Sequence, residues 1–141
     1  MKILIGVILF SIFLFLSGIH FYWGMGGKWG ASGAIPSKVK GQNVLNPKML
    51  DCILVGIGLL CFGIFILIKS NILYINLPAW LLNNGLLAIS FIFFARAIGE
   101  FKYVGFFKKI RDTNFGRLDT KYFSPLCLII GILSIIMLLL K

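Results

Sequence analysis

The sequence predicts an all-α integral membrane protein: a four-helix transmembrane bundle with a short interfacial amphipathic helix between its third and fourth spans. Three observations carry this reading. The chain of 141 residues is 60% hydrophobic and only 13% charged, whereas soluble domains carry about 25% charged residues. Its apolar residues come in long unbroken runs rather than at the period of a core-facing helix, which is the mark of membrane spans. Its charges collect in the stretches between those runs, above all between Arg96 and Pro125. The length fits a single membrane domain, residues 1–141.

Span one runs over residues 3–23. Its 21 residues rise about 31 Å as a helix, enough to cross the hydrocarbon. Lys2 before an apolar run also resembles a secretory leader, but the run is too long and closes on His20-Phe21-Tyr22-Trp23 rather than on small residues. We therefore expect span one to stay in the mature protein, with its aromatic end in the membrane interface. Loop one, 24–49, holds six glycines and two prolines and is longer than a connector needs, so it is expected to fold over the helix ends.

Span two runs over 50–68. Asp51 falls in its first turn, where a carboxylate complements the helix dipole. Gly56 and Gly63 are seven residues apart, share a face and invite close approach of another helix. Span three, 78–98, starts at Pro78, where no N–H is needed. Asn83 and Asn84 lie within its first two turns and are too polar for lipid, so at least one is expected to face another helix or the headgroups. Arg96 closes the span, four residues before Glu100, close enough to pair if the helix continues.

From Phe101 to Asp112, a helical projection puts Tyr103, Val104, Phe106, Phe107 and Ile110 on one arc and Lys102, Lys108, Lys109 and Asp112 on the other. This predicts an amphipathic helix over 100–112, with Lys102, Lys108, Lys109 and Arg111 directed to headgroups. Asp119 and Thr120 precede a turn, and Ser124-Pro125 opens span four, 125–140. At 16 residues that span rises only about 24 Å, so it needs Tyr122 and Phe123 below it, or a thinner bilayer, to cross.

Four spans place both termini on one side with Lys2, Lys69 and Lys141, against eleven Lys and Arg on the other: Lys28, Lys38, Lys40 and Lys48 in loop one, and seven from Arg96 at the end of span three to Lys121. The positive-inside bias then predicts a cytoplasmic membrane with loops 24–49 and 99–124 in the cytoplasm and both termini outside. The net charge of +10 is accounted for by residues flanking spans, which attract anionic lipid. No soluble domain remains to bind nucleic acid.

Three motifs, H-F-Y-W-G-M-G-G-K-W-G at 20–30, R-A-I-G-E-F-K-Y-V-G-F-F-K at 96–108 and T-N-F-G-R-L-D-T-K-Y-F-S-P-L-C at 113–127, carry a resemblance. The chain resembles the domain-of-unknown-function 3995 family of small bacterial membrane proteins. The resemblance implies a four-helix bacterial inner-membrane protein and implies no activity.

Residues shared between those motifs and the charge pattern give a candidate polar cluster: His20, Arg96, Glu100 and Asp119, with Asp51 beside them. Such a ring at the mouth of a bundle suits an anionic headgroup or a proton transfer. For each there is a plainer reading: an interfacial histidine, a helix-end ion pair, a turn-forming aspartate. One His and three cysteines without ligand spacing predict no metal site, no cofactor and unpaired thiols. Three functions follow as expectations. The first is a non-enzymatic protein binding anionic lipids, a partner protein or a second copy of itself at the cytoplasmic face. The second is a small intramembrane enzyme acting on a lipid or isoprenoid. The third is an oligomeric transporter or channel, for which no acid or base at mid-bilayer speaks.

Overall fold

Four helices in the structure are long and apolar enough to cross a membrane. The computed structural model describes residues 1–36 and 47–140. Helices α1 (Lys2–Gly24), α2 (Ala31–Ala34), α3 (Met49–Lys69) and α4 (Ala79–Ile98) are followed by an irregular segment, then α5 (Asn114–Leu118) and α6 (Ser124–Leu139). A π-helical turn, Asp119–Phe123, joins α5 to α6 without a break. The spans read from hydropathy at 3–23, 50–68 and 78–98 thus match α1, α3 and α4 to within a residue.

The helices assemble as two antiparallel pairs. α1 packs principally on α3, and α4 on α6, and the pairs meet along α1–α6 and α3–α4. Small residues decide how closely the first pair approaches. Ideal Cβ atoms at Gly56 and Gly63 would stand 3.1 Å from the Phe21 ring and 3.2 Å from the Phe10 ring, so both glycines are recesses for α1 side chains, as the seven-residue spacing predicts. Ser17 donates across the same seam to the Gly56 carbonyl at 2.7 Å. At the centre Phe13, Phe62 and Phe93 meet edge to face, with ring centroids 5.5–6.4 Å apart, and Leu9, Phe13, Ile66 and Ile130 are wholly buried around them. The outward faces carry Leu4, Phe15, Leu54, Phe91 and Leu139, the apolar surface a lipid-facing helix requires.

Two expectations are corrected. The segment 100–112 is not an amphipathic helix. Its apolar spacing fits a helical period, but Gly99, Phe101 and Gly105 have φ of 80°, 64° and 90°, outside the right-handed helical region. Its backbone bonds turn back instead: Phe106 N–H donates to Ala97 O at 2.8 Å, and Lys109 and Ile110 N–H to the carbonyls of Phe101 and Lys102. Secondly, in place of the turn expected after Asp119 and Thr120 there is a continuous helix. Pro125 has no N–H for the carbonyl four residues back and its ring crowds that position. A π turn immediately before it widens the helix there. With this extension the last helix runs 26 residues, Asn114–Leu139, about 39 Å, which makes up the shortfall of the apolar run.

Asn83 and Asn84 are both exposed, and Asn84 bonds only its own helix, at Trp80 O. Cys52, Cys61 and Cys127 are free. The expectations for Lys38, Lys40 and Lys141 lie outside the described residues.

Candidate functional site

The loop-bearing end of the bundle divides into a buried ionic knot and an open cavity. The knot is built on Asp119. The last turn of α4 presents Arg96, whose Nη2 donates to Asp119 Oδ1 at 3.0 Å. Gly99 then turns the chain with a positive φ, and the segment that follows wraps over the start of the last helix. At Gly105 the backbone passes so close to the Ile98 carbonyl that no Cβ fits, and its N–H donates to Asp119 Oδ2 at 2.9 Å. Lys108 enters from the same loop. Its Nζ donates to Asp119 Oδ2 at 2.9 Å, to Gly105 O at 2.9 Å and to Thr120 Oγ1 at 2.6 Å. Ser124, one turn beyond, donates its hydroxyl to Oδ2 at 3.1 Å.

All three protons of the Lys108 ammonium are therefore placed, and four donors converge on one carboxylate. Both side chains are 0% exposed. Burying a charge pair costs several kcal/mol per ion unless the remaining lone pairs and protons are satisfied, and here they are. Thr120 extends the chain by donating to Gly116 O at 3.1 Å, and Thr113 caps α5 by accepting the Gly116 N–H. Arg111 braces the loop from outside, donating from Nε to Lys108 O and from Nη2 to Phe106 O. Among the described residues the one imperfection of the knot is Arg96 Nη1, buried without a partner.

The cavity, about 370 Å³, lies between the end of α1, the start of α3 and α2. His20, Trp23, Asp51 and Cys52 line it with the apolar side chains of Ala34 and Val55. His20 Nδ1 is 2.8 Å from Leu16 O. A carbonyl only accepts, so Nδ1 carries the proton. Its ring meets Trp23 edge to face at 5.2 Å, and Trp23 Nε1 donates to Trp29 O at 2.8 Å. Asp51 caps α3, its Oδ2 accepting Lys48 N–H at 2.8 Å. Above the cavity α2 packs on α5, with Gly33 against Leu118, so the described part of loop one does fold over the helix ends.

The five residues expected to form one cluster thus separate into three places. Arg96 and Asp119 are bonded in the knot, His20 and Asp51 share the cavity wall, and Glu100 is exposed and joins neither. Arg96 turns to Asp119 rather than to Glu100 four residues on. Of the four cations expected at headgroups, Lys102, Lys109 and Arg111 are exposed, while Lys108 is buried. Gly105, Thr120 and Ser124 are parts of the knot that the sequence reading assigned no role in it.

Chemically, the knot is saturated. Asp119 has no open face toward solvent for a substrate or a proton, so its arrangement is that of a clamp. No group of three or more His, Cys, Asp or Glu among the described residues is placed to hold a metal ion. Comparison with curated proteins and with solved structures returns no match. A family model described as "Protein of unknown function (DUF3995)" matches residues 13–134. With most of its length matched, from the middle of α1 to near the end of α6, this multi-pass membrane chain belongs to the DUF3995 family.

Proposed function

We propose that this chain is a non-enzymatic membrane protein that gathers anionic lipid headgroups at its loop-bearing face, and that this face lies in the cytoplasm. One observation carries the reading: a rigidly clamped loop that presents unpaired cations. Lys102, Lys109, Arg117 and Lys121 are exposed, and none forms an ion pair among the described residues. Phe101, Phe107 and Tyr122 stand exposed among them, the apolar and aromatic company that interfacial segments carry. Because the Asp119 knot holds the loop without any ligand, little ordering cost attaches to binding. Each Lys or Arg near an anionic surface contributes about 1 kcal/mol, so four together give a large preference for anionic over zwitterionic lipid. The cytoplasmic assignment rests on the excess of basic residues at this end.

The test is lipid retention by native mass spectrometry after extraction from mixed phosphatidylglycerol and phosphatidylcholine. The wild-type chain is expected to retain the anionic lipid in several-fold excess. Changing Lys102, Lys109, Arg117 and Lys121 together to Gln is expected to abolish that excess. Equal retention by wild type and variant sinks the proposal. For sidedness, tags at either end of the chain should react with an impermeant reagent in intact cells; shielded ends reverse the orientation.

A further inference from the structure

Among the described residues, the strong hydrogen-bonding groups that line the cavity beside α1 are acceptors, and the Cys52 thiol is a weak donor. The stronger donors are committed elsewhere. The imidazole proton of His20 is on Nδ1 and bonded to Leu16 O, and the indole N–H of Trp23 is bonded to Trp29 O. Gly27 N–H donates to Tyr22 O, Ala31 and Ala34 N–H to carbonyls of their own turn, and Asp51 and Cys52 N–H to Lys48 O. The two lining prolines have no N–H to offer. Two acceptors stay open among the described residues. In the neutral ring, His20 Nε2 is an acceptor once Nδ1 holds the proton. The Asp51 carboxylate uses one lone pair on Lys48 N–H of the roughly four it has. Asp51 is also the sole formally charged residue among the described residues lining the cavity.

A ligand complementary to that wall brings donors and a positive charge at one end and an apolar body behind it. Among the described residues, an anion would meet a carboxylate and no free donor stronger than the Cys52 S–H. We propose that the cavity is a binding site for a hydrophobic ammonium ion, its N–H groups shared between Asp51 and His20, its charge against the Trp23 ring and its body against Ala34 and Val55. An ammonium over an aromatic face is attracted by the ring quadrupole, more strongly when desolvated. The volume, about 370 Å³, is in the range of small-molecule sites. The same chemistry is offered by a soluble amine and by an ethanolamine lipid headgroup.

The test is calorimetric titration of the protein in phosphatidylcholine nanodiscs, at pH 8, with 4-phenylbutylamine and with 4-phenylbutyrate, subtracting the titration of empty discs. The amine is expected to saturate one site and the acid to show no saturable binding. Asp51→Asn keeps an oxygen for Lys48 N–H and so keeps the helix cap; it is expected to weaken the amine at least tenfold. Ala34→Leu fills the cavity and is expected to abolish binding, with helical content by circular dichroism confirming that each variant is folded. Discs containing phosphatidylethanolamine distinguish the sources: loss of the amine titration identifies the headgroup as occupant, and an unchanged titration identifies a soluble amine. The proposal is overturned by absent amine binding, by equal binding of the acid, or by binding that survives both substitutions.

Discussion

Replacing Asp119 by Asn keeps the side chain's shape and removes its charge from the centre of the knot. Of its two oxygens, Oδ2 accepts from Gly105, Lys108 and Ser124, and Oδ1 from Arg96 alone. The asparagine oxygen therefore takes the Oδ2 position, and its NH₂ is left facing the Arg96 guanidinium, donor against donor. The Arg96 bond is lost and the Lys108 bond is reduced to a neutral acceptor. Hydrogen bonds to charged groups contribute about 1.5–3 kcal/mol each. Lys108, 0% exposed, becomes a buried cation without a counter-ion, and breaking one side of a buried pair costs about 3–5 kcal/mol. Asp119→Asn is expected to fall in that range, read as equilibrium unfolding in mixed micelles. A second change, Lys108→Met, removes the stranded charge while keeping most of the volume. The double variant should therefore be less destabilised than the sum of the singles, with a coupling of about 1–3 kcal/mol. A cost for Asp119→Asn under about 1 kcal/mol, or strict additivity, refutes the view that this carboxylate holds the loop.

Two further substitutions probe the backbone and the core. Gly105→Ala forces a Cβ at φ 90° against the Ile98 carbonyl and is expected to cost at least about 1–3 kcal/mol; Gly18→Ala, whose Cβ meets nothing within 4 Å, should be neutral or stabilising by up to about 1 kcal/mol, and the contrast is read from thermal unfolding in one detergent. Ser134 buries a hydroxyl with no partner among the described residues, so Ser134→Ala should be neutral or stabilising by up to about 1 kcal/mol in the same measurement.

The spans were legible because hydropathy is a local property: twenty apolar residues announce a helix whatever surrounds them. The Gly56–Gly63 recess was legible too, since a seven-residue spacing sets a face. What failed was everything decided by residues far apart in sequence. Arg96 has an acid four residues away and another twenty-three away, and it bonds the distant one. Nothing in the local pattern tells the two apart. Lys108 sits on the polar arc of a helical projection, yet that arc describes a helix that the chain does not form. The signal against it was present: Gly99 stands just before the segment and Gly105 inside it, and both adopt positive φ values that other residues rarely take. His20 and Asp51 were placed at the right level, but spacing could not show that Arg96 belongs to a different pair of helices.

The pairing of helices bears on how the protein is made. Residues 2–69 contain both members of the first pair and residues 79–139 both members of the second, so each helix has its main partner within its own half of the chain. During synthesis α3 can dock on α1 before α4 has been translated, and the finished hairpin offers the Phe13 side of α1 as a ready template for the second half. A cut in the connector 71–77 would leave both hairpins whole, with only the seams between them to be re-formed.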